Sequence, residues 1–128
     1  MLKLNHVNLT VSDVAGLSEF FEKCFAFTVT ERRGNGNFAV LEGENGFILI
    51  LMRGKDEATT HYPPLFHMGF IVSDQAVVDS TWQRIHAAGY EPPVPAILQR
   101  GGDRTYGFYH TAPGQIVVEV STPARESA

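Results

Sequence analysis

The chain has 128 residues and a mass of 14.1 kDa, with 44% apolar residues and a formal net charge of −4. That is enough to bury one core, and the absence of any lysine- or arginine-rich run leaves no electrostatic footprint for nucleic acid or an anionic membrane surface. No apolar stretch approaches membrane-spanning length and the first residues lack a secretory pattern, so the expectation is a soluble, cytoplasmic, single-domain protein whose partners are small molecules.

In chain order, His6, Asn8 and Thr10 alternate with Val7, Leu9 and Val11, the period-2 pattern of a strand with His6 on its more polar face. Ser12-Asp13 then offers a helix N-cap, and Leu17, Phe20, Phe21 and Cys24 fall at i, i+3, i+4 and i+7. The single cysteine, Cys24, lies in that stripe and reads as packing, with no partner for an internal disulfide. Strands are expected over Thr28–Arg32, Phe38–Glu42 and Phe47–Met52, then a polar, proline-terminated linker over Arg53–Pro64. A second strand opens at Leu65-Phe66-His67-Met68, and Ser73-Asp74 precede a helical stripe of Val78, Trp82 and Ile85 that closes at Gly89. Further strands are expected over Ala96–Arg100, Gly107–Thr111 and Ile116–Ser121, with a polar, frayed tail from Thr122 to Ala128. Gly101-Gly102-Asp103 reads only as a loop.

The chain therefore carries βαβββ twice, as modules of about 1–58 and 62–122, an α+β arrangement. The repeat is visible in the residues: Leu4-Asn5-His6-Val7 through Val11-Ser12-Asp13 returns as Leu65-Phe66-His67-Met68 through Val72-Ser73-Asp74, at an offset of 61. Matching Gly43-Glu44-Asn45-Gly46 to Thr111-Ala112-Pro113-Gly114 suggests an offset of 68 for the closing strands, which puts Leu51 at the place of Glu119.

Three candidate metal ligands follow: His6, His67 and Glu119. A repeated strand would ordinarily repeat only its apolar pattern, so the return of a titratable side chain suggests a joint task. Glu119 interrupts Ile116-Val117-Val118-Glu119-Val120, and a carboxylate among β-branched residues requires a cationic partner if buried. Two imidazoles and one carboxylate on one face of a divalent ion leave positions for water, dioxygen or a bidentate substrate. Fe(II) or Mn(II) suits that set ahead of Zn(II). Tyr109 is a candidate catalytic residue, its hydroxyl directed at substrate; the plainer reading is packing. His61, His86 and His110 do not recur and read as surface residues. Phe47, Leu49, Leu51 and Tyr109 are expected to flank an apolar or aromatic ligand pocket.

These motifs, with Cys24-Phe25-Ala26-Phe27-Thr28-Val29 and Gly107-Phe108-Tyr109 through Val118-Glu119, resemble the vicinal oxygen chelate superfamily of glyoxalases, bleomycin-resistance proteins and extradiol dioxygenases. The resemblance implies paired βαβββ modules whose mixed sheets curl into a cup, in a homodimer. It also implies inward-facing ligands on the first and last strands of the modules. Extradiol dioxygenases use two histidines and one glutamate, matching His6, His67 and Glu119, and their tyrosine ten residues before the glutamate matches Tyr109. Glyoxalase-type enzymes add a glutamate in the first module, where this chain has Leu51. An acid-base histidine is unassigned, His61 being the nearest upstream of His67. Two alternatives are a metal-free antibiotic-binding protein and a fosfomycin-resistance-like transferase; against the latter, Asn8 stands where a threonine is expected.

Overall fold

The computed structural model of the chain describes residues 2–56, 60–99 and 102–124. The order of elements is β1 (His6–Val11), α1 (Val14–Phe25), β2 (Thr28–Arg33), β3 (Phe38–Glu42), a short 3₁₀ turn (Glu44–Gly46), β4 (Ile48–Arg53), β5 (Met68–Ile71), α2 (Gln75–Ala87), β6 (Ala96–Gln99), β7 (Arg104–Ala112) and β8 (Ile116–Pro123). The doubled βαβββ pattern is thus present, in an α+β fold with two open four-stranded mixed sheets ordered β1-β4-β3-β2 and β5-β8-β7-β6. In each sheet the first strand runs parallel to the last, β1 with β4 and β5 with β8, whereas β2–β3, β3–β4 and β6–β7 pair antiparallel. The chain divides into two compact units, Met1–Pro64 with Ala112–Gln115, and Leu65–Thr111 with Ile116–Ala128.

In the first unit Asp13 caps α1 by accepting from the Gly16 N–H at 2.8 Å. The apolar stripe Leu17, Phe20, Phe21 and Cys24 is buried completely, as are Leu41, Leu49 and Leu51 of the sheet it packs on. Edge-to-face contacts of Phe21 with Phe20 and Phe27, at 5.7 and 5.1 Å between centroids, fill the centre. The helix closes on Ala26 in the left-handed region, φ 57°, where glycine would be the usual choice. β1 is an edge strand, and the Tyr62 hydroxyl covers part of its edge: it donates to the Thr10 carbonyl at 2.8 Å and accepts from the Thr10 N–H at 3.1 Å.

In the second unit Asp74 caps α2 by accepting from the Val77 N–H at 3.0 Å, and Gly89 follows its end at φ 98°. α2 packs on β8, with Val78 and Ile85 buried on one side and Ile116, Val118 and Val120 on the other. The face of β8 turned away from α2 is then left to Val117, Glu119 and Ser121.

Four expectations change. Leu49 and Leu51 do not flank a pocket; they face α1 in the core, and Ile48 and Ile50 take the opposite face of β4. The register explains this. Asn8 pairs with Ile50 as Gly69 pairs with Glu119, so the counterpart of Glu119 is Ile50, at an offset of 69 rather than 68. The turns agree, because the successive left-handed residues are Asn45 and Gly46 in one module and Gly114 and Gln115 in the other. Matching glycine to glycine misaligned them by one residue. His110 is buried, 6% exposed, rather than on the surface, whereas His61 and His86 are exposed. Thr122 and Pro123 extend β8 instead of fraying, while 125–128, like Arg100, Gly101 and 57–59 of the linker, lie outside the described residues.

Candidate metal centre

The parallel pairing of β5 with β8 sets Gly69 opposite Glu119, and His67, two residues before Gly69, extends from the same face. His67 Nε2 and Glu119 Oε1 are 3.1 Å apart, with side-chain exposures of 37% and 14%. A Cβ at residue 69 would lie 3.6 Å from Oε1, in ordinary van der Waals contact with it.

The other ring nitrogen decides what this pair can do. His67 Nδ1 is 2.9 Å from the Leu65 carbonyl, which can only accept, so Nδ1 carries the hydrogen. In the neutral ring Nε2 is then a lone pair facing a carboxylate oxygen. Two acceptors at that distance repel unless a cation lies between them, either a proton on Nε2 or a metal ion bound by both. Both fit. The separation suits an imidazolium–carboxylate hydrogen bond, and also two neighbouring ligands with metal–ligand bonds of about 2.1 Å at right angles, which stand roughly 3 Å apart. These two side chains therefore fit as two adjacent ligands of a divalent ion.

Tyr109 meets the His67 ring edge to face, 5.2 Å between centroids and 83° between planes. Leu65, His67, Asp103, Thr105, Tyr109 and Glu119 line one cavity of about 420 Å³ in the second unit, within the usual range for a small-molecule site. Of these, Leu65, Asp103 and Thr105 were not singled out from the sequence. Thr105 carried a readable signal, since it alternates with Gly107 and Tyr109 on one face of β7, whereas Leu65 and Asp103 reach the cavity from outside the strands. Ser121, which donates to Glu119 Oε2 at 2.7 Å, was also passed over, although it follows Glu119 by two on the same face of β8.

His6 belongs to the first unit. It opens β1, exposed, with Nδ1 3.2 Å from the Asn5 side-chain oxygen, and pairs in register with Ile48. Among the described residues no group of three or more histidine, cysteine, aspartate or glutamate side chains is gathered. The structure thus brings together His67, Glu119 and Tyr109. In the first module the counterpart of Glu119 is Ile50, as aliphatic as the expected Leu51, so no carboxylate stands there.

A 39% identical structure, that of a "possible Glyoxalase" from Bacillus cereus, superimposes with a TM-score of 0.77 over 94% of this chain and 98% of its own. A glyoxylase/bleomycin resistance protein/dioxygenase domain from Frankia shares the fold at 20% identity, TM-score 0.73, with 99% and 96% covered. A lactoylglutathione lyase from Agrobacterium tumefaciens does so at 18% and 0.70, with 95% and 94% covered. An uncharacterized protein of Pseudomonas aeruginosa is 33% identical over 91 residues, 67% of this chain and 65% of that protein, so the match spans just under two thirds of the curated relative's length. The family model of the Glyoxalase/Bleomycin resistance protein/Dioxygenase superfamily matches residues 3–120, and the chain belongs to that superfamily.

Proposed function

We propose that the chain is a divalent-metal-dependent enzyme acting on a small substrate with two neighbouring oxygens, with extradiol ring opening of a catechol-like compound as the favoured reaction. The observation that supports this reading is the His67–Glu119 pair, whose Nε2 and Oε1 face each other at 3.1 Å and are placed to share a cation once Nδ1 is committed to Leu65. His67 and Glu119 would hold the ion, and Fe(II) or Mn(II) is favoured over Zn(II) for a nitrogen-and-oxygen set with open positions. When bound, the ion supplies Lewis-acid activation of the adjacent substrate oxygens and a site for dioxygen. The aliphatic Ile50 at the fourth-ligand position argues against the proton transfer of a glyoxalase.

Around that centre the chain's own residues orient the substrate. The Tyr109 hydroxyl donates to a substrate oxygen, its ring held against His67. Leu65 supplies an apolar wall, and Asp103 and Thr105 supply polar contacts on the side of the cavity lined by β7 and its approach. Burial of the substrate there excludes water from the reacting oxygens. The protein is proposed to work in the cytoplasm as a homodimer.

Metal analysis of protein prepared without chelator tests the first half: about one ion per chain is expected, lost in His67→Ala. Anaerobic titration of Fe(II)-loaded protein with catechols, then admission of air, tests the second, with a yellow ring-opened product expected. Absence of metal after reconstitution, with an aromatic ligand still binding, overturns the enzyme reading in favour of metal-free sequestration. The imidazolium–carboxylate form of the same pair would accommodate that alternative. Turnover of a hemithioacetal with no response to catechols would retain the metal and replace the reaction.

A further inference from the structure

The Glu119 carboxylate has two oxygens, and only Oε1 faces His67. Its Oε2 accepts the Ser121 hydroxyl at 2.7 Å. Ser121 is completely buried, and its carbonyl accepts the Val72 N–H at 2.9 Å, so the residue is anchored at backbone and side chain. The neighbouring strand restricts it further. A Cβ at Gly107 would lie 2.1 Å from the Val120 carbonyl oxygen and 2.7 Å from both Cα and Cβ of Ser121, so β7 reaches β8 closely only because residue 107 is glycine.

We propose that Ser121 is a positioning residue of the metal centre, holding Glu119 so that Oε1 alone is presented to the ion. The proposal rests on the metal-dependent reading above. A carboxylate without an outer partner can rotate, or bind an ion through both oxygens and occupy a position that substrate needs. Donation from Ser121 ties down Oε2 and leaves Oε1 as the free ligand. His67 is arranged on the same logic, with its far nitrogen tied to Leu65 so that Nε2 is the free one. Each ligand of the pair thus has a fixed far atom, the outer-partner arrangement that orients metal ligands generally.

Co(II) titration followed by visible absorption tests this on wild type, Ser121→Ala and Ser121→Thr, with melting of each metal-free protein as control. Wild type is expected to bind one Co(II) per chain. Ser121→Ala should bind it about 10- to 100-fold more weakly, the usual cost of losing an outer partner, with an altered d–d spectrum. Ser121→Thr, which keeps the hydroxyl, should restore both. Unchanged affinity and spectrum in Ser121→Ala would overturn the positioning role while leaving the metal reading intact. So would weakening that tracks a fall in melting temperature and is not restored by Ser121→Thr, since that marks a packing role. Failure of wild type itself to bind Co(II) removes the metal reading, and the inference with it.

Discussion

Tyr109 and His110 are neighbours in sequence with opposite fates, because successive residues of β7 face opposite sides of the sheet. Tyr109 lines the cavity beside His67 and Glu119. Loss of its hydroxyl in Tyr109→Phe should leave metal content unchanged and lower kcat about 10- to 100-fold, the equivalent of one hydrogen bond to a charged group of roughly 1.5–3 kcal/mol. An equal loss of metal would assign Tyr109 to the structure of the centre instead. His110 points into the second unit's interior beside Tyr90, and burial lowers its pKa from the ordinary 6.5. The unfolded chain therefore takes up a proton that the folded one resists. Stability from this residue is complete above pH 6.5 and declines as pH falls through that value towards the lowered native one. Thermal melts between pH 8 and 5 should show that decline in wild type and a flatter profile in His110→Gln. Identical slopes would mean that another group is responsible.

The two helices begin with the same device. Asp13 and Asp74 each accept from a backbone N–H three residues on, and the Ser-Asp dipeptide that supplies them was legible as a repeat. Replacing either with alanine should cost about 1 kcal/mol. Chemical denaturation should show this as a lower midpoint with unchanged slope. Tyr62 was hidden within a stretch that read as linker, yet its hydroxyl both donates to and accepts from Thr10 on the β1 edge. Tyr62→Phe should destabilise the protein by roughly 1–2 kcal/mol, as expected for two hydrogen bonds with partial replacement by water. A change below 0.5 kcal/mol would show that water replaces them fully.

At the scale of the whole molecule the proposals concern what the chain holds and what it pairs with. Metal that binds only the folded state should stabilise it by about 2.7 kcal/mol at a hundred times its dissociation constant, seen as a concentration-dependent rise in melting temperature. No such rise with Mn(II) or Fe(II) would argue against a folded-state site. Both sheets are open, with β1 and β2 at the edges of one and β5 and β6 at the edges of the other, and Ile71 on β5 is 72% exposed. A homodimer that covers such edges is the expected species in sedimentation across the micromolar range, and a monomer throughout would remove that proposal.

From the sequence alone, the alternation of His6–Val11, the stripe from Leu17 to Cys24 and the doubled His and Ser-Asp motifs determined two βαβββ modules. Periodicity and capping are local properties, carried by side chains a few residues apart. The candidate ligands His67 and Glu119 were legible for a related reason: a titratable group that repeats, or interrupts a β-branched run, stands out against its neighbours. Which residues of β4 face the core was a tertiary matter. One residue of difference in turn alignment exchanges the faces of a strand, and asparagine and glutamine share the left-handed turn positions with glycine. The burial of His110 likewise depended on the packing around β7, and the bond from Ser121 to Glu119 on a side-chain contact. Only the tertiary structure could also decide that His67 keeps its proton on Nδ1, because that depends on where the Leu65 carbonyl lies once the chain has folded.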